Sequence, residues 1–148
     1  MLIKTQIKEK IYLTNSPAQT KKLGTALAQK IIKEPLRKQA VILSLKGNLG
    51  GGKTTFLQGF AKGLGIKEKI NSPTFIIMRR HKNFYHFDCY RIKKLKEILD
   101  LGFKEIISEP KNIIAIEWAD KIEKILPGKI IRIRFKFISQ KIREINMC

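Results

Sequence analysis

The segment Gly47-Asn48-Leu49-Gly50-Gly51-Gly52-Lys53-Thr54 constrains this chain more than any other. It satisfies G-x-x-x-x-G-K-[ST] at every fixed position, the pattern of a loop that wraps the phosphates of a nucleotide. Glycine lets a backbone turn tightly and reach positive φ, which brings several N–H donors to face one anion. The surroundings agree with the motif. The run Ala40 to Leu45 is almost wholly apolar and reads as a strand covered on both faces. Thr54 to Leu64 has helical character and Gly65 closes it. The helix starting near Lys53 adds its unpaired N–H groups and the positive end of its dipole. Asn48, Leu49, Gly50, Gly51 and Gly52 then supply main-chain contacts to phosphate. Lys53 bridges the β- and γ-phosphates, Thr54 offers a hydroxyl to Mg²⁺, and Thr55 adds one near the α-phosphate.

Such a site needs a carboxylate on the metal side, usually at the end of a neighbouring buried strand. Two residues qualify. Glu117 ends the apolar run Ile113 to Ile116, and Asp88 ends Phe84 to Phe87. Glu117 is favoured because its strand is the better buried. Ser72-Pro73-Thr74 lies between the loop helix and the next strand, where Thr74 either senses the γ-phosphate as a switch hydroxyl or simply turns the chain. His86 reads as a packed imidazole among aromatic residues, and Trp118, by default, as a core side chain. No Asn-Lys-x-Asp element for guanine selection is present, so ATP is the expected nucleotide.

Around this centre, Asn15-Ser16-Pro17 is a helix start: a capping side chain followed by proline at the first helical position. Apolar spacing continues the helix from about Pro17 to Lys33, and Pro35 stops it. A short strand is expected within Lys4 to Leu13. Thr74 to Met78 and Phe84 to Asp88 read as strands joined by a tight turn at 81–83. Short helices are expected from Leu95 toward Gly102 and over Phe103 to Ser108, with another over Ala119 to Leu126. Ile131, Ile133, Phe135 and Phe137 alternate with Arg132, Arg134 and Lys136, as in a half-buried strand with a basic outer face. A hairpin partner is expected near Ile142 to Ile145. Helices and strands alternate early and strands dominate late, which predicts an α/β layered domain with antiparallel strands toward the C-terminus.

At 148 residues the chain is expected to form a single domain over residues 1–148. Its longest apolar run is far too short to span a membrane, and charges interrupt the N-terminal stretch before a signal core can form, so a cytoplasmic protein is expected. Cys89 and Cys148 form no C-x-x-C pair and read as free thiols. The net charge is +19. Such an imbalance either attracts a polyanion such as RNA or reflects bias, since 24 Lys and 25 Ile are spread along the whole chain.

With these residues in view, the chain resembles the bacterial TsaE (YjeE) ATPases of tRNA threonylcarbamoyladenosine synthesis. The resemblance rests on the loop from Gly47 to Thr55, Ser72-Pro73-Thr74-Phe75, Tyr85-His86-Phe87-Asp88-Cys89-Tyr90-Arg91, Leu101-Gly102-Phe103 and Ile116-Glu117-Trp118. It implies a P-loop NTPase-type three-layer domain: a mixed sheet with helices on both faces. It implies a slow Mg²⁺-dependent ATPase working beside TsaD-type and TsaB-type proteins, which modify adenosine 37 of tRNAs reading codons that begin with A. Hydrolysis would support turnover of that complex, with tRNA met directly or through it; neither membrane nor DNA is an expected partner. Carried over by position, Thr54 and Glu117 are the implied Mg²⁺ ligands. Asp88 and Trp118 belong to the functionally required set, Thr74 is the switch hydroxyl, and Thr14, Asn15 and Arg143 lie toward the adenine. Whether Asp88 or Glu117 activates water stays open. Departures from the family pattern are Asn48 in place of a common acidic residue, Cys89 in place of leucine, and a short basic hairpin containing Arg79, Arg80 and His81. Two rival readings are a basic RNA-binding module with a vestigial nucleotide site and a small-molecule kinase.

Overall fold

The computed structural model describes residues 9–34, 37–48, 51–70 and 77–148. Its elements run in the order β1 (Lys10–Thr14), α1 (Pro17–Lys33), β2 (Val41–Lys46), α2 (Lys53–Gly63), β3 (Met78–His81), β4 (Phe84–Asp88), α3 (Leu95–Leu99), α4 (Phe103–Ser108), β5 (Ile113–Glu117), a 3₁₀ helix (Ala119–Ile125), β6 (Ile131–Phe137) and β7 (Arg143–Met147). The described strands form one seven-stranded sheet in the order β1-β7-β6-β2-β5-β4-β3. β2, β4, β5 and β6 run parallel at its centre, whereas β1, β7 and β3 pair antiparallel toward the edges. The fold is therefore α/β with a mixed sheet.

Local chemistry sets the boundaries. Ser16 is extended and its hydroxyl accepts from the Gln19 amide at 3.2 Å, while Pro17 takes the first helical position. Glu34, which precedes a proline, is extended and ends α1. β5 is buried at all five positions, as its unbroken apolar run requires of a central parallel strand. The helix expected after it is a 3₁₀ helix, interrupted at Ile122, whose φ of −121° is not helical.

Side chains alternate across the sheet and feed two cores. Leu43, Leu45, Phe84, Ala115, Ile133, Phe135 and Ile145 lie in the core that α1 and α2 cover. Ile42, Tyr85, Phe87, Ile114 and Ile116 lie in the other, with Ile98, Phe103 and Ile122 from the short helices and the 3₁₀ helix. α1 and α2 approach closely enough that glycine is required between them: a Cβ on Gly59 would sit 2.0 Å from the Lys21 carbonyl oxygen. α2 is thereby locked against both the sheet and α1, with Lys53 at its head.

Three expectations need correction. β1 begins at Lys10 and reaches Thr14; the part of the expected strand before residue 9 lies outside the described residues. β3 runs from Met78 to His81, so it shares only Met78 with the strand expected over Thr74 to Met78; Ile77 lies outside it, residues 74–76 lie outside the described residues, and the turn is confined to Lys82 and Asn83. Phe137 does not point into the core: β6 runs past the cover of the helices, and the ring is 52% exposed with the Arg143 guanidinium 4.5 Å above it.

Candidate functional site at the ends of the parallel strands

Parallel pairing brings the C-terminal ends of β2, β5 and β4 side by side. Leu45 stands opposite Glu117, and Glu117 stands opposite Asp88. In sheets of this kind, ligands bind just beyond these ends. The glycine loop leaves β2 there and enters α2.

Gly52 is the residue before α2, with φ +100°, and it offers no side-chain cap to the helix. Its left-handed backbone is the conformation for which glycine is suited. The first α2 amides are left as donors for an anion rather than for a protein side chain. Behind them the Lys53 ammonium is buried. It donates to the Gly47 carbonyl at 2.7 Å and stands 4.0 Å from Glu117 Oε1. Thr54 and Thr55 follow on the first turn, half-buried. Gly51 donates its amide to the Asn48 carbonyl at 3.0 Å, which tightens the loop. Leu49 and Gly50 lie outside the described residues, as does Thr74.

Glu117 is buried, and its second oxygen is 2.8 Å from His86 Nε2. His86 is thus more than the packed imidazole expected from sequence: it partners the carboxylate. The parity of β4 and β5 puts His86, Asp88 and Glu117 on the face that α2 covers, which is how residues remote in sequence meet Lys53. Asp88 is half-buried and accepts the Tyr90 amide at 2.9 Å. Burial pushes its carboxyl above the usual range; the Tyr90 hydrogen bond opposes this, and the nearby Glu117 charge adds to it.

Trp118 overturns the expectation of a core side chain. Its φ of +58° swings it out of the strand path, leaving it 37% exposed. Its ring lies 5.3 Å from Lys53 Nζ and 5.0 Å from the ring of the exposed Tyr90. Lys121 closes this corner by donating to the Tyr90 carbonyl and standing 5.2 Å from its ring. From sequence, neither Tyr90, named only within the motif that carries the resemblance, nor Lys121 has an expected role in the site. Tyr90 is placed by the turn after β4 and Lys121 by the 3₁₀ helix after β5, which periodicity does not report.

The remaining expected residues gather on the other flank. β1 and β7 set Thr14 opposite Arg143, and Asn15 follows, exposed, with its amide donating to Gln19 Oε1 at 2.7 Å. Thr14 and Thr20 share a 2.7 Å hydrogen bond. A Cβ placed on Gly52 would lie 3.7 Å from both Arg143 Cγ and Thr20 Cγ2, so this cluster borders the loop.

The donor set suits a phosphate chain with a hard divalent ion. Uncapped backbone amides, a buried ammonium and two half-buried threonines lie together at the head of α2. Glu117 supplies a buried carboxylate beside Lys53. Among the described residues no three His, Cys, Asp or Glu side chains cluster as a self-sufficient metal cage. Mg²⁺ commonly takes only one or two protein ligands and fills its shell from phosphate and water.

The order of these elements can be compared with known proteins. A family model described as "Threonylcarbamoyl adenosine biosynthesis protein TsaE" matches residues 14–145. The chain belongs to the TsaE family. The TsaE protein of Bacillus subtilis, named as a tRNA threonylcarbamoyladenosine biosynthesis protein, is 36% identical over 144 residues, covering 95% of this chain and 85% of the relative. The Treponema pallidum TsaE is 30% identical, covering 91% and 97% respectively. The crystal structure of Bacillus subtilis YdiB superposes with a TM-score of 0.73 at 32% identity, over 95% of this chain and 84% of that one. The family match runs from Thr14 to Ile145, so this TsaE-family chain carries both flanks of the site inside the matched region. No helix among its described residues is long and apolar enough to cross a membrane.

Proposed function

We propose that the chain is a cytoplasmic, slowly hydrolysing MgATPase of P-loop NTPase type that serves tRNA threonylcarbamoyladenosine formation. The observation that carries this reading is the Lys53 ammonium. It is buried at the head of an uncapped helix, 2.7 Å from the Gly47 carbonyl and 4.0 Å from a buried carboxylate. An ammonium in that position is matched to a polyphosphate.

In this reading the loop amides of 48–52 and Lys53 hold the β- and γ-phosphates, and Thr54 and Glu117 hold Mg²⁺. The ion, when bound, neutralises charge on the phosphate oxygens. Thr55 reaches the α-phosphate, and Asn15, Thr14 and Arg143 flank the base. Asp88 or Glu117 orients the attacking water, and Thr74 is the switch hydroxyl. Trp118 covers the Lys53 side of the mouth. Hydrolysis resets a complex of TsaD-type and TsaB-type proteins on tRNA, and the isolated chain turns over slowly. A charge-stabilising arginine from a partner is worth ~10³ to 10⁵ in rate in comparable enzymes.

The test is phosphate release from MgATP by the chain alone and with the partner pair. Glu117→Gln is expected to cut turnover by about 10² or more, and the partners are expected to raise the wild-type rate. Turnover that ignores both Glu117→Gln and Lys53→Ala would overturn the reading. Phosphate appearing on a small acceptor rather than in water would make the protein a kinase.

A further inference from the structure

The antiparallel end of the sheet has a second face that the nucleotide site does not use. Tyr12, Ile145 and Phe135 stand in register and point into the core under α1 and α2. The alternate residues point the other way. In one row Lys46 stands beside Arg134, then Asn146, then Ile11; in the next, Lys136 stands beside Glu144 and Leu13. Strands lie about 4.8 Å apart and same-face residues about 7 Å apart along a strand, so these cations form one compact patch.

The described helices leave this patch uncovered. Lys46, Arg134 and Lys136 are exposed, and Ile11 and Leu13 are 60% and 64% exposed. Among the described residues, the side chains of Lys46, Arg134 and Lys136 make no hydrogen bond or ion pair; by contrast the neighbouring Arg132 is held by Glu123 at 2.8 Å. Two acidic side chains border the cations: Glu144 stands within the second row, and Glu9, just before β1, accepts a hydrogen bond from Asn146 Nδ2 in the first.

We propose that this face docks the phosphate backbone of an RNA strand. Charge complementarity selects the occupant: three unpaired cations on one uncovered face of a chain whose net charge is +19. The two rows hold no aromatic side chain for base stacking, so contact is made to phosphates, with the apolar ridge of Ile11 and Leu13 against sugars. Binding is then tolerant of sequence and steeply dependent on salt. The face lies across the sheet from α2 and Lys53, so the proposal stands independently of the ATPase reading.

The experiment is tRNA binding by the full chain, using an in vitro transcript, titrated across salt. Each phosphate contact contributes about 0.7 to 0.9 to the slope of log K against log salt. Arg134→Gln with Lys136→Gln should therefore flatten the slope by about 1.4 to 1.8 and weaken binding by about 25- to 60-fold at 0.1 M salt. A matched loss of charge elsewhere, Lys67→Gln with Lys69→Gln, should leave binding near wild type. The charge-preserving pair Arg134→Lys with Lys136→Arg should restore it, which separates charge from folding. Absence of tRNA binding, or an equal loss in the Lys67/Lys69 variant, would overturn the proposal. So would a face variant that binds tRNA normally but loses an acidic protein partner.

Discussion

Gly59→Ala puts the packing that positions Lys53 to a test in which two physical effects carry opposite signs. Gly59 lies inside α2, where alanine is worth about 0.8 to 1.0 kcal/mol more than glycine by helix propensity alone. The structure opposes that gain. The added Cβ would lie 2.0 Å from the Lys21 carbonyl oxygen and 2.6 Å from the Lys21 carbonyl carbon and Cα, all backbone atoms that cannot rotate away. Even the tightest real contacts need about 3.0 Å, so α1 and α2 must part by about 1 Å at this crossing. Parting stretches the 2.8 Å hydrogen bond from Thr25 Oγ1 to the Gly59 carbonyl and loosens Ala28, Phe56 and Phe60 beneath it. Overpacking of this kind costs about 1 to 3 kcal/mol. With immobile backbone on the far side, the upper half of that range applies, leaving a net loss of about 1 to 2 kcal/mol. For a chain of this length the melting temperature should fall by about 3 to 8 °C. Thermal unfolding followed by circular dichroism measures it, with Gly128→Ala as a control, since a Cβ there meets nothing within 4 Å. A Gly59→Ala protein that melts higher than wild type would refute the close crossing.

Other outcomes follow from the site. His86→Leu leaves Glu117 Oε2 without its 2.8 Å partner in a buried setting and should destabilise the fold by about 1 to 3 kcal/mol, read in urea unfolding, whereas His86→Gln should recover part of the loss. The buried Cys89 thiol is pushed up to about 12, chiefly by burial, while Cys148 is exposed. One thiol per native chain should therefore react with a disulfide reagent at mild alkaline pH, and two after denaturation. A raised pKa stabilises the protonated thiol in the fold. That contribution is present below the ordinary value of 9.0 and is lost as pH climbs toward about 12, so Cys89→Ala should flatten the alkaline limb of the stability profile. Trp118, the sole tryptophan, stands 5.3 Å from Lys53 Nζ, so its emission should change saturably with MgATP and be indifferent to adenosine.

The legible parts of the sequence were those where local chemistry decides the conformation. Ser16-Pro17 and the residue before Pro35 mark both ends of α1, and apolar runs, interrupted only by Ser44 in β2 and unbroken over Ile113 to Ile116 in β5, locate those two strands. The glycine loop announced its own place between a strand and a helix. Long-range register was not legible. His86 meets Glu117 because β4 lies parallel to β5 with Asp88 opposite Glu117, and no spacing in one chain encodes that alignment. Trp118 follows an apolar strand and so reads as core, but a left-handed backbone at that residue turns it outward. Phe137 continues a clean alternation beyond the point where any helix covers it, because periodicity reports which face a residue takes and not how far the cover extends.

The most direct measurement is calorimetric titration of MgATP into the wild-type chain and into Lys53→Ala, with folding of both checked by circular dichroism. One-to-one binding to the wild type and its loss in the folded variant are expected. Equal affinity in the two proteins, or no binding to the wild type, would contradict the assignment of the glycine loop as a phosphate site.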